Sequence, residues 1–399
     1  MTMFVAFLLV FIASLLAIPV AVFCLEIIAA IVLPQRKLTM RMQGVRPRLA
    51  VLVPAHNESS GLLPTLADIQ GQLLAGDRLL VIADNCTDDT AAVARAADAE
   101  VVERHNATKL GKGYALDHGL RHLSVDPPEI VIAIDADCRV QDRTIDQLAL
   151  TSAATGRPVQ ALNVVISTSN SPVNHRVAEF AGRVKRWLRP LGLSALRLPC
   201  QLSGTGMAFP YDVVCSADLT TGSIAEDVKL GLELSLAGYS PTFCPSACVI
   251  SEFPSSIGGR NTQRKRWEQG HIHLIGKDAL RLFSLAIAHH NWNLLALTLD
   301  LAVPPLSLLG ILIVAVFAAA GLAVVLGFSS TPLIISTVNL LGFITAIFLA
   351  WLTCGRDVLP ASSFWSLIPY VTGKLGLYSQ ILFGKANAQW DRTDRKKPQ

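Results

Sequence analysis

Ile130-Val131-Ile132-Ala133-Ile134-Asp135-Ala136-Asp137 is an unbroken apolar run that ends in two carboxylates. An apolar run of this length bounded by turn residues reads as a strand buried on both faces. Asp-x-Asp puts both carboxylates in one tight turn, and charges so close repel unless a cation lies between or beside them. The motif alone is common. Its position at the end of a buried strand makes a metal site the better reading.

Residues 49–53, 79–83, 101–102 and 161–165 read as further strands. Residues 62–73, 89–97, 113–123 and 145–154 carry helical periodicity. Such alternation predicts an α/β domain with a mostly parallel sheet and helices on both faces. Ligands of these sheets bind outside the carboxyl ends of the strands. Those ends are polar here: Pro54-Ala55-His56-Asn57-Glu58 after the first strand and Asp84-Asn85-Cys86-Thr87-Asp88-Asp89-Thr90 after the second. Asp88 and Asp89 read as helix caps. No G-x-G-x-x-G follows the first strand, and no G-x-x-x-x-G-K-[ST] occurs, which weighs against dinucleotide and P-loop chemistry. Gly111-Lys112-Gly113 opens a helix and reads equally well as a phosphate contact or as a turn with a solvated lysine. Gly-flanked Ser203–Met207 is a place where backbone can approach a ligand closely. Glu226-Asp227 opens a helix, where acidic residues are ordinary partners of the helix dipole. Gln263-Arg264-Lys265-Arg266-Trp267 starts an amphipathic segment that suits an anionic lipid surface.

The rest of the chain is far more apolar. Of 399 residues, 51% are hydrophobic and 16% charged, where soluble chains carry about 25% charged residues. Residues 4–33 are long enough to cross a hydrocarbon core of about 30 Å. An uncleaved anchor is preferred to a signal peptide, since no basic region precedes the run and no cleavage site ends it convincingly. Arg36, Lys37, Arg41, Arg46 and Arg48 follow it, so the positive-inside rule places the next domain in the cytoplasm. Residues 294–327 and 333–352 are expected as two more spans. Asp300 in the first is read as lying in the headgroup layer, ahead of facing protein or a cavity. Residues 361–384 carry one apolar stripe and are expected to lie in the interface, ahead of a basic cytoplasmic tail, 385–399. Eight scattered cysteines without C-x-x-C spacing read as reduced thiols. The net charge of +4 is too small to suggest a nucleic-acid partner.

In this order and between membrane helices, P-A-H-N-E, D-N-C-T-D-D-T, D-A-D, E-D and Q-R-K-R-W resemble the membrane-bound family 2 glycosyltransferases. The match is to the D, D, D, Q-x-x-R-W group, with cellulose, chitin, hyaluronan and poly-N-acetylglucosamine synthases and ceramide glucosyltransferases. The resemblance implies a GT-A domain over 48–256, an interfacial region over 257–290 with Q-x-x-R-W, and inverting transfer from a nucleotide sugar, UDP-linked by preference. Pro54, His56, Asn57, Glu58 and Asp84 would line the nucleoside, with Lys112 helping. Asp135 would contact the nucleotide sugar, and Asp137 would coordinate Mg²⁺ or Mn²⁺. Asp227 would be the base, with Glu226 beside the acceptor. Gln263, Arg266 and Trp267 would close over the diphosphate and acceptor. Two positions depart from the pattern: Ala225 stands where Thr is frequent before E-D, and Asn85 where a second acidic residue is common. The acceptor is expected to be a polysaccharide or envelope glycan at the inner membrane. A glycolipid-forming enzyme is the alternative, and a non-catalytic membrane scaffold is disfavoured by the intact carboxylate set.

Overall fold

The computed structural model describes residues 2–34, 45–167, 172–220, 225–252 and 257–383. It divides into two compact units: Arg36–Thr168 with Leu198–Arg266 and Ala388–Gln399, and Met1–Gln35 with Ser169–Arg197 and Trp267–Asn387.

The first unit is built on an eight-stranded sheet. Its strands are β1 (Leu49–Ala55), β2 (Arg78–Asp84), β3 (Glu100–Arg104), β4 (Ile130–Ala133), β5 (Cys138–Val140), β6 (Val159–Ile166), β7 (Met207–Pro210) and β8 (Thr242–Glu252), in the spatial order β3-β2-β1-β4-β7-β6-β8-β5. The half made of β3, β2, β1 and β4 is parallel throughout. The other half is mixed: β6 and β8 run parallel, while β7 runs antiparallel to both β4 and β6, and β5 antiparallel to β8, so the sheet is mostly parallel as expected, with two antiparallel strands.

Strand alternation explains why β1 is apolar at nearly every position. Leu49, Val51 and Val53 point into a core completed by Leu66, Ile69, Ile145 and Leu148. Ala50 and Leu52 point into a second core with Leu116, Leu120, Leu123 and Phe209. Both faces are covered by helices, so neither can be polar. Pro54 is tolerated near the strand end because the ladder to β4 stops at Leu52↔Ala133. Arg46 and Arg48, counted among the basic residues after the first span, are ion-paired within this unit. Arg46 pairs with Asp77 and Asp146, and Arg48 with Asp126.

In the second unit, three helices are long and apolar enough to cross a membrane: Met3–Val32, Leu306–Val325 and Thr331–Cys354. The expected span 294–327 is two helices, Trp292–Leu301 and Leu306–Val325. The break falls at Pro304-Pro305, where a missing N–H and ring clash end the helical ladder. The expected interfacial helix is likewise in pieces, Ala361–Ser366, Leu367–Thr372 and Leu375–Phe383. Asp300 faces protein rather than headgroups. It is 7% exposed and shares the Arg189 guanidinium with Glu26 of the N-terminal helix, each pair at 2.5 Å. One turn along from Arg189, Gly192 packs on that helix so closely that a Cβ would lie 1.9 Å from the Glu26 carbonyl oxygen. The tail 385–399 and Arg36, Lys37 and Arg41 lie outside the described residues.

Candidate active site

The carboxyl ends of β1, β2 and β4 gather the residues singled out in the sequence. After β1, His56 Nδ1 donates to the Asp84 carbonyl at 2.7 Å. Asn57, at φ 55°, exchanges two bonds with Thr87: its side-chain oxygen accepts from the Thr87 N–H at 2.7 Å, and its amide donates to the Thr87 hydroxyl at 3.1 Å. The backbone N–H of Glu58 donates to Thr90 Oγ1 at 2.9 Å. These bonds knit the first two strand ends into one polar rim. Asp88 accepts from the Thr90 N–H at 3.0 Å, one residue ahead of the N-cap position at Asp89. Asp89 has no cap bond to its helix and accepts from the Ser59 hydroxyl at 2.6 Å instead.

Two residues of this rim escaped the sequence reading. Arg104, at the end of β3, donates to Asp84 Oδ1 at 2.5 Å and to the Lys109 carbonyl at 2.7 Å. Asn106 donates its N–H to Asn85 Oδ1 at 2.7 Å, while the Asn85 amide donates to Asp84 Oδ1 at 3.0 Å. Asp84 is thereby oriented from both sides and only 8% exposed. The signal was available: Arg104-His105-Asn106 follows a strand, as the other polar ends do.

After β4, Asp135 and Asp137 are half-buried on either side of buried Ala136. Ligand atoms of Asp135, Asp137 and Cys138 all lie within 4.8 Å of one another. The turn is held from below by Thr65, whose hydroxyl donates to the carbonyls of Ala136 and Cys138 at 2.8 and 2.6 Å. Burial, then the neighbouring Asp135 and Asp137 charges, push the Cys138 thiol up to about 12, and its sulfur lies 3.1 Å from the Ser251 hydroxyl. The oxygen ligands on offer are the two carboxylates. Hard oxygen donors of this kind suit Mg²⁺ or Mn²⁺ rather than zinc.

Lys112 reaches into this turn. Its ammonium pairs with Asp135 and donates to the Gly204 carbonyl at 2.5 Å. Burial works to lower its pKa, but the Asp135 carboxylate and then Glu226 outweigh it, so the lysine is held above its ordinary value and charged. Of the two readings open in the sequence, a solvated lysine is therefore excluded. Gly204, at φ +89°, adopts a conformation that L side chains rarely reach, and its missing Cβ would lie 3.4 Å from Asp227 Oδ2. Asp227 and Glu226, both half-buried, open the helix Glu226–Leu236. Lys112, Asp135, Gly204, Glu226 and Asp227 thus share one neighbourhood. Gln263 and Arg266 lie in the helix Ile257–Ala288, and their side chains are outside the described residues. Trp267 belongs to the second unit and is 36% exposed.

A mixed sheet whose parallel half ends in an Asp-x-Asp turn, with a second acidic pair in the same neighbourhood, is the arrangement of a GT-A type glycosyltransferase domain. The chain belongs to the family described as glycosyltransferase like family 2, whose model matches residues 47–270. Over 259 residues it is 23% identical to a probable glycosyltransferase, YdaM, of Bacillus subtilis, covering 60% of this chain and 59% of that one. Over 244 residues it is 25% identical to the poly-β-1,6-N-acetyl-D-glucosamine synthase of Staphylococcus aureus, covering 58% and 56%. The chain therefore spans less than two thirds of the length of these curated relatives. Among solved structures, it is similar to the mannosyltransferase PcManGT of Pyrobaculum calidifontis, solved with GDP-Man and Mn²⁺. That similarity has a TM-score of 0.56 at 17% identity and covers 97% of this chain and all of the other. It establishes a shared fold.

Proposed function

We propose that the chain moves a sugar from a nucleoside-diphosphate donor, a UDP-sugar by preference, to a polysaccharide or envelope-glycan acceptor at the cytoplasmic face of the inner membrane. The observation that carries the reading is the gathering of acidic groups about Lys112 and Gly204: Asp135 paired with Lys112, Glu226 near enough to act on its charge, and Asp227 beside Gly204. The relationship to a poly-N-acetylglucosamine synthase supports a saccharide acceptor. A lipid acceptor, giving a glycolipid, is the outcome that product analysis would reveal instead.

In this reading the rim from Pro54 to Glu58, with Asp84 fixed by Arg104 and Asn85, receives the nucleoside. Asp137, with Asp135 beside it, would hold Mg²⁺ or Mn²⁺, which supplies positive charge to the departing diphosphate. Lys112 adds a fixed positive charge at the same turn. Asp227 takes the proton from the acceptor hydroxyl as the glycosidic bond forms, a role that requires an ionised carboxylate. Gln263 and Arg266 close over the diphosphate, and Trp267 offers its indole face to the acceptor. With three spans the N-terminus is external and the C-terminus cytoplasmic, which suits the basic residues after residue 33 and those of the tail.

The test is to incubate the purified full chain with a panel of UDP- and GDP-sugars, a bacterial lipid extract and Mg²⁺ or Mn²⁺, and to weigh the products. A ladder of masses marks repeated transfer to a saccharide, and a single lipid adduct marks the alternative. Absence of nucleoside diphosphate release from every donor contradicts the proposal.

A further inference from the structure

In the second unit, the helix Val173–Arg183 passes into a π-helical turn, Val184–Leu188, before Arg189–Ala195. Such insertions are rare and frequently mark functional sites, because the wider i→i+5 turn re-aims the side chains it carries. Here it carries Lys185 and Arg186, and both reach one short stretch of the helix Ile257–Ala288. The Arg186 guanidinium carbon lies 5.0 Å from the centre of the Trp267 ring. Lys185 Nζ donates to His271 Nδ1 at 3.3 Å. The other ring nitrogen of His271 lies 3.1 Å from the carbonyls of both Leu301 and Val303, so it bears the proton and leaves Nδ1 to accept. Burial, then Lys185 and Arg189, push His271 well below its ordinary value, which keeps the ring neutral as this arrangement requires.

A third cation grips the same stretch. Lys374 pairs with Glu268 and donates to the Ser307 hydroxyl at 3.1 Å, with its ammonium 4.8 Å from the Tyr370 ring centre. Residues 267, 268 and 271 are thus each held by a different basic side chain. Glu268 and His271 are spent on internal contacts. Trp267 keeps open ring area, at 36% exposed. Gly182, four residues before Arg186, leaves room for the guanidinium: a Cβ there would lie 3.1 Å from Nη2.

We propose that Arg186 is a positioning residue for the acceptor. Its guanidinium covers part of the Trp267 ring and fixes the tilt of the indole, so that the open part is preorganised for the apolar C–H face of a sugar ring. The inference rests on the reading that Trp267 meets the acceptor. Its physical basis is that a side chain ordered before binding loses less freedom on binding, and that an Arg–Trp contact is worth enough to order it.

The test uses the full chain in detergent micelles. Emission of Trp267 is isolated as the wild-type spectrum minus that of Trp267→Phe, with the Arg186 variants treated in the same way. Arg186→Gln should move this difference emission to longer wavelength and raise its acrylamide quenching about two-fold, while Arg186→Lys, which keeps the cation, should retain most of the wild-type signal. With an N-acetylglucosamine tetrasaccharide and a bacterial lipid extract offered in turn, Arg186→Gln should raise the half-saturating acceptor concentration about 3- to 10-fold with kcat little changed, and Arg186→Lys should restore it. In a Trp267→Ala background Arg186→Gln should add nothing, because the two act as one unit. Full additivity, or unchanged emission and acceptor KM in Arg186→Gln, overturns the proposal. A lipid-only effect overturns the sugar assignment. If Trp267→Ala leaves acceptor KM unchanged, the underlying reading fails. If it raises KM and Arg186→Gln does not, only the role of Arg186 fails. Should neither acceptor be turned over, the emission decides.

Discussion

Each unit of the molecule contains carboxylates gathered around one cation, and the two clusters differ in what surrounds them. At the strand ends, Lys112 sits with Asp135 and Glu226, and the Asp135–Asp137 turn stays half-buried, open to a ligand. In the second unit, Arg189 is shared by Glu26 and Asp300, at 5%, 1% and 7% exposure. Both clusters carry more carboxylates than cations. The open one leaves room for the cation and substrate proposed for it, whereas the sealed one is committed to joining the segments that bear it. Exposure, rather than residue type, separates a site from a structural joint.

The comparison breaks first at Arg189. If the sealed cluster is a joint, Arg189→Met leaves two buried carboxylates without their partner and should cost about 3–5 kcal/mol of stability. This is checked by thermal unfolding of the full chain in detergent, and unchanged stability would mean that the cluster is not what holds those segments. Thr65→Val sharpens the other side. Removing the hydroxyl beneath the Asp-x-Asp turn leaves the carbonyls of Ala136 and Cys138 without that donor, an expected loss of about 1–3 kcal/mol, and weaker donor binding should accompany it. Intact donor affinity with reduced stability would show that the turn does not depend on Thr65.

A smaller effect concerns pH. His271 is neutral when folded, with its pKa depressed, and regains an ordinary pKa near 6.5 when unfolded. The unfolded state then binds more protons at low pH, so this contribution is present above about pH 6.5 and is lost as pH falls below it, at no more than about 1.4 kcal/mol per unit. Melting temperatures of wild type and His271→Gln should converge as pH falls from 7 to 5. Parallel curves would remove the histidine from the account.

The sequence made the parallel half of the sheet readable, because β1, β2 and β4 are apolar runs with polar ends. In the mixed half only β6 was readable, over 161–165, for local reasons. β5 is three residues long and β7 four, too short to show a period. β8 contains Pro245, which argues against a strand by composition. In the structure the register jumps from Ala161↔Cys244 to Leu162↔Cys248, so the proline falls in an irregularity where no ladder bond is required. Asp84, Asp135 and Asp227 could be picked out because each follows a strand or opens a helix. Arg104 carried the same strand-end signal, though not its partner Asp84, 20 residues away. Thr65 could not be picked out so, since it acts through contacts made by the tertiary fold, on carbonyls 71 and 73 residues away. Glu26 was visible as a charge in an apolar run, but its partner lies 163 residues on.

The account stands on the open cluster being the place where the sugar is transferred, and Asp227 tests it most directly. Asn is nearly the same size as Asp but cannot take the acceptor proton at neutral pH. Glu226, the adjacent residue, points about 100° away around the helix, so only one of the pair can face the acceptor. Donor binding and turnover are measured side by side for wild type, Asp227→Asn and Glu226→Gln in the purified full chain with Mg²⁺ or Mn²⁺. Asp227→Asn should lose about 10²–10⁴ in kcat while binding the nucleotide sugar within a few-fold of wild type. Turnover of Asp227→Asn at the wild-type rate would contradict the assignment, and a loss confined to Glu226→Gln would move the base to the neighbouring carboxylate.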